Sequence, residues 1–135
     1  MSEPTFAIEP SIGFEEFIRV LEESGLAARR PVGDADRMAK MLLHAGVIAT
    51  ARIERRLVGV ARSITDHVYC AYLSDLAVAK AHQGRGIGRQ LIALTRTHLG
   101  TAVSLNLKAA PGAETYYDHI GMPRAEHAFV HRREL

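Results

Sequence analysis

Cys70 is the only cysteine in this 135-residue chain, so no internal disulfide can form and nothing demands an oxidising compartment. No apolar run approaches membrane-spanning length, and the opening MSEPTFAIEP lacks a basic stretch followed by an apolar core. A cytoplasmic protein that meets no membrane is the expectation. Charge of one sign is scarce too: formal net charge is +2, and no basic run exceeds a pair such as Arg55-Arg56 or Arg132-Arg133. That speaks against nucleic acid as the main partner, while a mild basic excess suits an anionic ligand. There is no Cys/His cluster, GxSxG elbow or HExxH helix, which removes the common metal, hydrolase and metalloprotease readings. His127 and His131 stand four apart, but in a segment with strand character, so no metal is expected there. Repeats, low-complexity tracts and linkers are missing as well.

What remains is 47% apolar and 24% charged, the composition of one soluble globular domain spanning residues 1–135. Thr5 to Ile8 can form a short strand, broken by Pro10. Phe14, Phe17, Ile18 and Leu21 then repeat at helical spacing before Ser24-Gly25. A loop with Pro31 leads to a second helix, capped by Asp34 or Asp36, with Met38, Met41, Leu42 and Ala45 on its apolar face. The period then switches to two. Val47 to Ile53 and Leu57 to Ile64 read as a hairpin joined by Glu54-Arg55-Arg56, followed by a third run, Val68 to Val78. Ile87, Leu91 and Leu94 mark a helix ending at Gly100; Val103, Leu105 and Leu107 mark another strand. A short helix, Ala113 to Ile120, stops at Gly121, and a last strand is expected through Ala128-Phe129-Val130. The fold class that follows is α/β (α+β): a mixed, mostly antiparallel sheet with helices on both faces and one parallel crossover.

The stretch from Leu73 to Gly100 organises the rest. A buried strand runs through the loop Ala79 to Gln83 into Gln83-Gly84-Arg85-Gly86-Ile87-Gly88 and then straight into a helix. Amides in a helix's first turn lack carbonyl partners, and the macrodipole adds partial positive charge there. Glycines remove the Cβ atoms that would hold an anion away, and Arg85 and Arg89 contribute full charges. This is a phosphate cradle. It is not a P-loop, which needs a Lys-Ser or Lys-Thr pair, and its glycine spacing is not that of a dinucleotide-binding turn.

Strand, Gln-x-x-Gly-x-Gly and helix together resemble motif A of the GNAT acetyltransferase superfamily, and the element order is similar over nearly the whole chain. A second similarity is Ala113 to Met122, where Tyr116-Tyr117 precede Gly121 by the family's spacing. The resemblance implies transfer of an acetyl group from acetyl-CoA, bound as co-substrate without a metal, to a small-molecule or peptide amine in a ternary complex. It also leaves room for a homodimer. It places the pyrophosphate on the amides of Gln83, Gly84, Arg85, Gly86, Ile87, Gly88 and Arg89. The pantetheine arm and thioester fall against the backbone of Leu76, Ala77 and Val78, where the strand splays from its parallel neighbour. Where the family often has an asparagine near the second motif, this chain has Ala110, with Asn106 the nearest amide.

Acetyl transfer needs a deprotonated amine, a fixed donor for the carbonyl oxygen and a proton for the departing thiolate. Tyr117 is the general acid implied by the resemblance; a core aromatic is its plainer reading, and Tyr116 is assigned to packing. For the base, Asp75 stands in the strand beside the expected thioester, but alternation sets it opposite Tyr72, Ser74 and Leu76 unless a bulge intervenes. A water relay through Ser74, Asp75 or a carbonyl is equally open, as is a purely structural Asp75. Tyr72 and Ser74 are assigned to the acceptor, which is expected between residues 25–34 and the hairpin after Ile64, where Arg29, Arg30, Asp66 and His67 hint at polar recognition. A non-catalytic module that senses acyl-CoA is the competing function, and a nucleic-acid-binding domain a third.

Overall fold

The computed structural model describes residues 2–134. Five strands form one sheet in sequence order: β1 (Thr5–Ile8), β2 (Val47–Ile53), β3 (Arg56–Thr65), β4 (Cys70–Val78) and β5 (Ser104–Asn106). β1 to β4 are antiparallel, and β5 runs parallel to β4 after a crossover through a helix. Helices α1 (Phe14–Ser24) and α2 (Ala35–Leu43) precede β2; α3 (Ile87–Leu99) is the crossover, and α4 (Glu114–His119) follows β5.

Local chemistry sets the boundaries. Glu16 accepts the Gly13 amide at the start of α1 (2.9 Å), and Gly25 ends that helix at φ 89°. Of the two candidate caps for α2, Asp34 takes the role, accepting the Arg37 amide at 3.1 Å. Glu54 and Arg55 both have positive φ, 49° and 72°, so a two-residue turn closes the β2–β3 hairpin and Arg56 belongs to the strand.

The apolar stripes cover the sheet from both sides. Phe17, Leu21 and Met38 of α1 and α2 pack with Leu57, Val60 and Ala77. Ile87, Leu91 and Ile92 of α3 pack with Ala49, Ala51, Val58, Ala61 and Leu73 on the opposite face. Each large side chain buried this way contributes about 1.5–3 kcal/mol relative to exposure.

Besides a bulge at Val58 in the β2–β3 pairing, two features depart from the expected pattern. In the β3–β4 register Arg62 faces Asp75 and Ser63 faces Leu73, so Ser74 is an inserted residue, a β-bulge. Because of it Leu73 points to the α3 core while Asp75 and Ala77 point to the α1 side. The expected last strand does not form. Residues 123–134 carry no strand, Phe129 is 95% exposed and Val130 is 55% exposed. A strand needs an edge to pair with and a core to fill; β5 offers three residues of edge, and three consecutive apolar residues without alternation have no single face to bury. Among the described residues no helix is long and apolar enough to cross a membrane.

Candidate active site

Among the described residues β4 and β5 pair only from Cys70–Ser104 to Tyr72–Asn106, after which β4 continues to Val78 with no partner on that side. At the parting, Asn106 Nδ2 donates to the Ala71 carbonyl (3.3 Å), so this amide ties the strands together. The Ala79 amide donates to Val58 O at 2.9 Å. Strand alternation then turns the backbone of Ala77 toward β3 and that of Leu76 and Val78 into the gap. Gln83 Nε2 donates to the Val78 carbonyl (2.9 Å), which leaves the Val78 amide and both Leu76 groups facing the opening. Of the three residues assigned to this role, Ala77 is therefore held by the sheet.

Next to the gap lies the start of α3. Gly86 is the residue before its first turn, at φ 79°, with Gly84 at φ 80°, and no side chain caps the helix. Gln90 is the first residue whose amide reaches back along the helix, to Gly86 O at 3.1 Å, so the amides of Ile87, Gly88 and Arg89 have no helical acceptor. A Cβ at Gly84 or Gly86 would meet no atom within 4 Å, so the loop faces open space. A diphosphate fits this surface by charge and by shape. The amide of Gln83 does not belong to it, because it donates to Lys80 O at 3.3 Å and closes a turn of 3-10 helix, Lys80–His82. Arg85 Nη1 lies 3.2 Å from His82 Nδ1, and Arg89 is exposed.

The cradle opens into a cavity of about 580 Å³ on the α3 side of the sheet. A larger cleft of about 1380 Å³ lies on the α1–α2 side. Leu76, Val78, Gln83, Ala113 and Tyr117 line both, so the two adjoin at the gap between β4 and β5. Tyr117 stands at this junction, half-buried, its body packed against the α3 core. Burial pushes its phenol above the usual range, and neighbouring Tyr116 adds to the effect. The two rings meet edge to face with centroids 5.2 Å apart. Tyr116 is the more exposed, at 38%, and reaches the cradle: a Cβ on Gly88 would run into its hydroxyl. Burial raises the Tyr116 phenol as well, against the pull of Arg89.

The bulge decides the position of Asp75. Asp75 shares the face of Tyr72, because each lies opposite a β3 residue, Arg62 and Ile64, on that same face. The carboxylate is fully buried and engaged on both oxygens: Arg30 Nε donates to Oδ1 at 2.5 Å, and Arg62 Nε donates to Oδ2. The same arginines hold the bulge, Arg30 Nη2 on the Ser74 carbonyl (2.6 Å) and Arg62 Nη2 on Ser74 Oγ (3.1 Å). Between base and structural carboxylate, these contacts favour the structural role, with guanidinium donors in place of backbone ones. Tyr72 is 41% exposed and lines the larger cleft together with Ser74.

Residues 17–132 match the acetyltransferase (GNAT) domain family. The chain is a GNAT acetyltransferase-family protein. A probable acetyltransferase from meticillin-resistant Staphylococcus aureus has the same fold, with a TM-score of 0.78 at 19% identity over 97% of this chain and 99% of that one. So does an aminoglycoside N-acetyltransferase crystallised with CoA, with a TM-score of 0.74 at 16% identity over 100% of this chain and 97% of that one. In sequence, a Glycine max protein named histone acetyltransferase TAP1 is 34% identical over 70 residues, 50% of this chain and 30% of that relative.

Three arrangements at the site escape sequence reasoning in this GNAT chain. Arg62 leaves one signal, a charge inside the otherwise apolar run Leu57 to Ile64, which only a buried partner can explain. The bonding of Arg30 to Asp75 and Ser74 leaves none, since these partners lie 45 and 44 positions away. Tyr116 looks like packing until α4 is set against α3.

Proposed function

We propose that this chain transfers the acetyl group of acetyl-CoA to a primary amine that attacks directly in a ternary complex. The observation that carries the reading is that the cavity at the α3 cradle and the α1–α2 cleft meet at the β4–β5 gap, where five residues line both. This arrangement lets a long thioester enter from one face and an amine from the other. Acetyl-CoA supplies an acyl group already activated as a thioester. The amides of Ile87, Gly88 and Arg89 hold its diphosphate, with Gly84 and Gly86 keeping side chains out of the way. The Val78 amide and the Leu76 amide and carbonyl align the arm. A backbone N–H fixed by the sheet is the preorganised donor that a carbonyl gathering negative charge requires. Tyr117, kept protonated by burial, sits at the junction as general acid: its phenol protonates the sulfur as the C–S bond breaks, and the proton shed by the nitrogen that has formed the new C–N bond restores it through water. Aminoglycoside acetyltransferases of this fold make a small-molecule amine a reasonable acceptor class.

Calorimetry with acetyl-CoA, followed by product detection with a panel of amines, tests the reading. Gly86→Glu puts bulk and negative charge in the cradle and should abolish binding. Unchanged affinity in that variant would sink the cofactor assignment. Tight binding with no acetylated product from any amine would leave the sensing module in its place.

A further inference from the structure

The α1–α2 cleft is walled by cations. Arg29 and Arg37 come from the segment between α1 and α2 and from α2 itself, Arg30 and Arg62 from the floor, and Lys108 from beyond β5. Arg30 and Arg62 share one carboxylate, Asp75. Arg29, Arg37 and Lys108 have no ion-pair partner among the described residues, and Glu134 is the one carboxylate on the cleft wall. Formal charge over the chain is only +2, so this concentration on one wall is a local property that net charge conceals.

We infer that the acceptor is a small amine bearing an anionic group, a carboxylate or a phosphate, and that the cationic wall recognises that group. This rests on the transferase reading above. The inference has two physical consequences. Exposed arginines at Arg29 and Arg37 can pair bidentately with either oxyanion, and complementary charge steers such an acceptor to the cleft. The same positive field disfavours an ammonium ion beside it. An amine anchored there by its anionic end therefore loses its proton more readily, which offsets the engagement of Asp75. A polycation meets repulsion in the same place.

The test uses matched acceptors: an α-amino acid against its carboxamide, O-phosphoethanolamine against ethanolamine, and an aminoglycoside. In each pair the anionic member should show at least a tenfold higher kcat/KM, with the advantage shrinking as salt rises. The pair that discriminates more strongly separates carboxylate from phosphate. Arg29→Glu/Arg37→Glu should erase the preference and move the acid limb of the rate profile upward, with KM for acetyl-CoA and the melting temperature unchanged. Both side chains are exposed and make no hydrogen bond of their own, so the double variant should fold. Calorimetry of the same acceptors on the CoA complex gives a second readout. A tenfold tighter anionic member there upholds the anion site even without turnover, a result that would defeat the transferase reading alone. Equal or better use or binding of the neutral amines or the aminoglycoside overturns the inference.

Discussion

Arg62 on β3 and Asp75 on β4 stand directly opposite each other beneath the acceptor cleft, and they share a face because Ser74 is inserted between Leu73 and Asp75. Without the bulge, Asp75 would lie with Leu73 among the apolar residues under α3. With it, one carboxylate satisfies two arginines that also grip the carbonyl and the hydroxyl of Ser74.

Asp75→Ala is therefore expected to cost about 3–5 kcal/mol of stability, because it leaves Arg62, 3% exposed, without its counter-charge. Asp75→Asn should destabilise less. Denaturant unfolding measures both. A fully stable Asp75→Asn protein with no turnover would instead mark Asp75 as the base.

Tyr117→Phe should lower kcat by about a hundredfold or more while leaving the KM for acetyl-CoA nearly unchanged. Burial raises the phenol, so the alkaline limb assigned to its ionisation should lie above the ordinary tyrosine value of about 10 and vanish in the variant. Steady-state rates across alkaline pH decide it.

Gly88→Ala should displace the Tyr116 hydroxyl from the cradle, because the new methyl and that oxygen claim the same space. Acetyl-CoA binding should weaken, and Tyr116→Phe should relieve part of the loss. A coupling of about 0.5–3 kcal/mol in the double-variant cycle is the expected signature of direct contact. Strict additivity by calorimetry would place the two residues out of touch.

Arg52 should govern acid stability. It bonds Glu9 at 2.8 and 3.1 Å and Glu16 at 2.9 Å twice, joining β2 to the segment after β1 and to α1. Its hydrogen bonds are the main reason both carboxyls lie below the ordinary glutamate value of 4.5. A lowered native value means the unfolded chain binds protons more readily. The stabilisation is thus complete above about pH 4.5 and is lost as pH falls through the lowered native values. Arg52→Gln should cost about 1–2 kcal/mol at neutral pH, and melting curves of the two proteins should converge in acid.

The sequence by itself determined every element that repeats or punctuates locally. Phe14 to Leu21 at helical spacing, the alternating runs of β2 and β3, and the glycines of the cradle all act through contacts or dihedrals within a few residues, and the resemblance to the GNAT family drew on the last of these. It misjudged Ala128-Phe129-Val130, since strand formation depends on an edge that a local pattern does not reveal. Tertiary structure alone decided the bulge at Ser74, the union of Arg30, Arg62 and Asp75, and the approach of Tyr116 to Gly88. Each depends on which distant segment arrives on which face, and a one-residue insertion reverses that face without altering composition or spacing. The charge of the acceptor cleft belongs to the same class: its cations come from five separate stretches of chain, and only the fold collects them on one wall.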